Sequence, residues 1–114
     1  MAVTDLAYLR EVSDNDAEFM LSMIQTFLDT TPPALNEMKE KLLLGQLVRV
    51  GELAHKIKPS ITFMGIRSCQ QLILDIEAKG KTEVVDGLPE LVADLEQQCA
   101  MAYDELRSTI ENGL

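Results

Sequence analysis

Apolar residues recur every three or four positions along most of the chain, the spacing of helices that bury one face. From Asp16 onward, Met20, Ile24, Phe27, Thr31, Leu35, Met38 and Leu42 follow this period and predict a helix to about Leu44, ended by Gly45. Pro32 and Pro33 fall inside that stretch and are expected to kink a continuous helix rather than split it. Leu47, Val50, Ala54, Ile57 and Ile61 form the stripe of a third helix, from about Gln46 to Met64, closed by Gly65. A fourth runs from about Ile66 to Lys79 with Cys69, Leu72, Ile73 and Ile76 inward, and Gly80 to Gly87 reads as a loop. Leu88-Pro89-Glu90 opens a last helix with Leu91, Val92, Leu95, Cys99, Ala102, Leu106 and Ile110 on its apolar face. Ahead of these, Thr4 or Asp5 caps a short helix ending near Val12. Short connections make neighbouring helices antiparallel. The expected fold is all-α, an antiparallel up-down four-helix bundle with a short additional N-terminal helix, and one domain over residues 1–114.

Composition supports this class and narrows the function. The 114 residues are 46% apolar but only 4% aromatic, with no Trp. The net charge of −9 opposes a nucleic-acid binder, which needs a basic face. The charge is uneven. Between Arg49 and Arg67 lie Arg49, Lys56, Lys58 and Arg67 against the single acid Glu52, a local excess of +3 that leaves −12 for the rest. Cys69 and Cys99 make neither a disulfide framework nor a metal-ligand spacing, and read as buried thiols. With no apolar signal segment or membrane span, the expected setting is the cytoplasm.

The only histidine, His55, lies inside the basic stretch. With His55 at 0° on a helix, the stripe of the third helix falls between about −80° and −160°, and Val48, Gly51, Glu52, Lys58, Pro59 and Thr62 within about 60° on either side. The imidazole therefore stands at the edge of the solvated face beside a lysine. An exposed imidazole next to positive charge suits a nucleophile that handles an anion. A metal site is disfavoured, since no second histidine exists and no cysteine lies within a turn.

His55-Lys56-Ile57-Lys58, Gly65 ten residues after the histidine, and a leucine-rich helix reaching Glu77 resemble the histidine phosphotransfer (HPt) domain family. Tyr8-Leu9 and Phe27-Leu28 also fit, so the resemblance covers nearly the whole chain. It implies a phosphoryl carrier of a two-component phosphorelay. His55 would accept the group from a receiver aspartate and pass it to another receiver, and Lys58 would stabilise the phosphoryl oxygens. The partners implied are response-regulator receiver domains or a hybrid sensor histidine kinase, met by a monomer without nucleic acid or membrane. Magnesium would come with the receiver, with no metal or cofactor held by this chain. There is no Gly-rich phosphate loop, so the carrier has no ATP site of its own.

Two positions bear on this reading. The family's usual glycine four residues after the histidine is here Pro59, whose missing N–H removes the bond to the His55 carbonyl at about 3 kcal/mol in a helix interior and is expected to bend the helix. That leaves an alternative, a non-phosphorylatable helical adaptor that binds a signalling partner. Glu77 lies about eleven residues beyond the turn that His55 precedes by about eleven, so both rise to one level, about 16 Å from it. There Glu77 is placed to accept Nδ1–H of His55 and leave Nε2 free. The partner-binding surface is expected to comprise Val48, Gly51, Lys56, Pro59 and Thr62, with Met23 of the second helix contributing. Lys56 points about 100° from His55 and reads best there as a solvated lysine.

Overall fold

The structure, a computed structural model, describes residues 2–114. Five helices follow one another: α1 Ala7–Val12, α2 Ala17–Leu43, α3 Leu47–Phe63, α4 Arg67–Lys81 and α5 Leu88–Asn112. The four long ones pack in a closed ring, α2 on α3, α3 on α4, α4 on α5 and α5 back on α2. No strand occurs among the described residues, and the expected all-α bundle is the observed fold.

Local signals act as the chain implies. The Asp16 carboxylate accepts the N–H of Phe19 and starts α2. Gly45 and Gly65 take φ of +73° and +63°, the left-handed conformation that lets the chain leave a helix and reverse. Pro32 and Pro33 lie within an unbroken α2, and Pro59 within an unbroken α3. The fully buried core draws on every helix, from Leu9 of α1 to Ile24, Phe27 and Met38 of α2, Leu53 of α3, Ile73 and Ile76 of α4, and Leu95 and Leu106 of α5. Leu53 departs from the expected stripe. It lies about 40° beyond the Ile57 edge of that stripe, and is buried because both α2 and α4 pack on α3. Cys69 and Cys99 are free and buried.

α1 closes one end of the bundle. The N–H of Asp5 donates to the Met64 carbonyl at 3.1 Å, and the Tyr8 ring stacks on Phe63. Gly65 admits no side chain there, since a Cβ would stand 2.0 Å from the Asp5 carbonyl oxygen. Glu105 of α5 accepts the N–H groups of Val3 and Thr4 and the Thr4 hydroxyl. Burial pushes the Glu105 carboxyl up in pKa, but these hydrogen bonds outweigh it and hold it below its ordinary value. A cleft at this end is bordered by Val3, Gly65, Glu105 and Leu114.

One helix boundary differs from expectation. Gly80 does not begin a loop. α4 continues through it to Lys81, and the chain turns afterwards, where Glu83 takes a φ of +55°.

Candidate functional site

α3 and α4 form an antiparallel hairpin about Gly65, and this hairpin places His55 opposite Glu77. The His55 side chain is 66% exposed, at the rim of the bundle. Glu77 on α4 is buried, with 7% of its surface accessible. Nδ1 of His55 lies 2.6 Å from Oε2 of Glu77. Nζ of Lys58, one turn further along α3, lies 3.0 Å from Oε1. Nζ of Lys81, one turn along α4, lies 3.5 Å from Oε2. A buried carboxylate thus meets three basic groups.

The charge state of Glu77 follows from these partners. The hydrogen bond from Lys58 is the largest influence. Burial opposes it, and the hydrogen bond from His55 with the charges of Lys58 and Lys81 adds to it, so the carboxyl is held down to about 2. At neutral pH Glu77 is ionised and only accepts hydrogen bonds, so the proton of this pair resides on Nδ1. In the neutral ring Nε2 then carries the free lone pair. The arrangement presents a nucleophilic nitrogen at the surface while its ring is held from behind.

The expected partner surface is only partly assembled. Val48, Lys56, Pro59 and Thr62 are exposed on α3, and the Thr62 hydroxyl donates back to the Lys58 carbonyl. Gly51 does not belong to that surface: it is buried. The reason is the closeness of α4, whose backbone at Glu77, Gly80 and Lys81 comes within 3.1–3.3 Å of where a Cβ of Gly51 would be. Met23 is half-buried against the core. Lys58, expected to stabilise phosphoryl oxygens, is hydrogen-bonded to Glu77 in this structure. Lys81 was not foreseen as a member of the site, because it falls beyond the helix end that Gly80 suggested.

A family model, the Hpt domain, matches residues 22–109. The chain belongs to the Hpt domain family. Membership implies histidine phosphotransfer in two-component phosphorelays and interaction with receiver domains and kinases. The match begins inside α2 and spans α3 to most of α5, so the His55–Glu77 hairpin of this Hpt domain lies wholly within it. Comparison with curated proteins and with solved structures gave no match. No helix among the described residues of the Hpt domain is long and apolar enough to cross a membrane.

Proposed function

We propose that this Hpt domain accepts a phosphoryl group on Nε2 of His55 from an aspartyl phosphate of one receiver domain and returns it to the aspartate of another. The observation that supports this most is the asymmetry of the ring: Nδ1 is bound to a buried carboxylate while the side chain is two-thirds exposed. In the transfer, the Nε2 lone pair attacks phosphorus and the P–O bond to the receiver's aspartate breaks. The carboxylate leaves with the bonding pair, and the N–P bond of a phosphoramidate forms. No proton needs to move, because Nδ1 keeps its hydrogen throughout. The ring becomes a cation as the phosphoryl arrives, and Glu77 stabilises that charge from behind.

Phosphoryl transfer has a loose transition state with charge on the equatorial oxygens, so positioning and cations supply most of the catalysis. Lys58 is the cation assigned to those oxygens. It has to loosen its bond to Glu77 to meet them, and its one-third exposed side chain permits that. Magnesium is assigned to the receiver, and this chain to the cytoplasm as a monomer. Val48, Lys56, Pro59 and Thr62 surround His55 as the surface a receiver would meet. The adaptor alternative rests on Pro59 alone, and Pro59 sits on the surface of a helix that continues past it.

The test is direct. Mixing the protein with a receiver domain, a small phosphodonor and magnesium is expected to place acid-labile, base-stable phosphate on this chain, and His55→Gln is expected to abolish it. No label on the wild type, or equal label on the variant, refutes the assignment.

A further inference from the structure

The glycines of α3 and α4 touch. A Cβ at Gly80 would stand 2.5 Å from the Gly51 nitrogen, 2.6 Å from the Gly51 Cα and 2.8 Å from the Leu47 carbonyl oxygen. A Cβ at Gly51 would stand 3.1 Å from the Glu77 carbonyl oxygen and from the Lys81 nitrogen. Neither glycine has positive φ, so neither is needed for a conformation other residues avoid. Both lie inside helices, where glycine is the poorest residue after proline. What requires them is room. Helices crossing through ordinary side chains stand about 8–10 Å apart, and here backbone meets backbone.

The contact lies beside the reacting histidine. Gly51 precedes His55 by one helical turn, and Gly80 falls between Glu77 and Lys81, both of which contact the same carboxylate group or supply it. The distance between α3 and α4 at this level therefore decides whether Glu77 reaches across to Nδ1. The hydrogen bond that spans the two helices is short, 2.6 Å. Moving the helices apart by roughly an ångström takes the pair beyond hydrogen-bond range.

We propose that Gly51 and Gly80 are positioning residues, a side-chain-free contact that brings α4 close enough for Glu77 to hold His55 by Nδ1. Their weight in phosphotransfer rests on His55 being the phosphoryl acceptor. Their effect on the ring does not.

The test uses the full chain and needs no partner. As the protein has one histidine, long-range 1H–15N spectra show which ring nitrogen carries the proton without overlap. The wild type, at a pH where the ring is neutral, is expected to show Nδ1–H. Gly80→Ala, which meets backbone on all sides, is expected to lose that form in favour of Nε2–H, as Glu77→Ala does. Gly51→Ala, whose added carbon needs a few tenths of an ångström, is expected to show a mixture. Leu106→Ala, in the core of α5, serves as the control for lost stability and is expected to keep the wild-type tautomer. Transfer from a phosphorylated receiver is expected to slow at least several-fold in Gly80→Ala and unchanged tautomers leave no such cause. Folded Gly51→Ala and Gly80→Ala proteins with the wild-type tautomer overturn the proposal. If Gly80→Ala does not fold, Gly51→Ala decides alone. A wild type that takes no phosphate, while Gly51→Ala still shifts the tautomer, removes the relay reading and leaves the positioning role standing.

Discussion

Lys58 and His55 share one carboxylate, Lys58 on Oε1 and His55 on Oε2 of Glu77, although the two side chains leave α3 a turn apart. The cation proposed for the phosphoryl group is therefore held on the same carboxylate that binds Nδ1 of His55. Replacing Lys58 removes the largest influence on Glu77. In Lys58→Ala the Glu77 carboxyl is expected to titrate well above the wild-type value of about 2, a change readable in carboxyl carbon shifts. Transfer to His55 is expected to slow by roughly 10- to 100-fold, the scale of a hydrogen bond to a charged group. A Lys58→Ala protein that transfers at the wild-type rate removes Lys58 from the mechanism.

Glu77→Gln separates charge from shape. The amide oxygen still accepts from Nδ1, but its neutral group no longer stabilises the ring cation that forms on transfer. We expect a reduction of roughly tenfold in the transfer rate, with the Nδ1–H tautomer largely retained, and a greater loss in Glu77→Ala, which leaves Nδ1 unpaired. Rates from a common phosphorylated receiver, compared with ring spectra of both variants, check this order.

Acid should loosen the bundle through the same residue. The folded-state Glu77 carboxyl lies at about 2, below its ordinary value near 4.5. Such a depressed group contributes stability that is fully present above the ordinary value and is lost as pH falls toward 2. Glu105, also depressed, acts in the same direction. Melting temperatures followed by circular dichroism from pH 6 downward should therefore fall below about pH 4.5, and fall less steeply in Glu77→Gln. A parallel pH dependence in wild type and variant would contradict this.

Leu53→Ala offers a check on packing. Leu53 is fully buried two residues before His55. Its truncation is expected to cost about 2–5 kcal/mol, read as a lower urea midpoint with little change in slope.

These residues also show how far the bare sequence reaches. Helix ends at Gly45 and Gly65 were legible because a left-handed glycine after an apolar period is a local signal. The meeting of His55 with Glu77 was legible because two arms of equal length about one turn return to the same height. Gly51 was misplaced because a helical wheel assigns faces without knowing how near the next helix stands. Gly80 compounds this. Glycine reads as a stop, and only the partner helix reveals that this one is kept for its missing side chain. With Gly80 taken as the helix end, Lys81 fell outside the site. Leu53 was missed because a single stripe suits a helix covered on one side, while α3 lies between α2 and α4.

The tether of Val3 and Thr4 to Glu105 has a practical outcome. It gathers the start of the chain, the Gly65 turn and Leu114 around one cleft, about 16 Å along the hairpin from the imidazole. A dye, an affinity handle or a bead attached to a residue lining this cleft would be held away from the His55 ring. The molecule can thus be immobilised with its chemistry facing outward, which suits surface-based kinetics with incoming receivers.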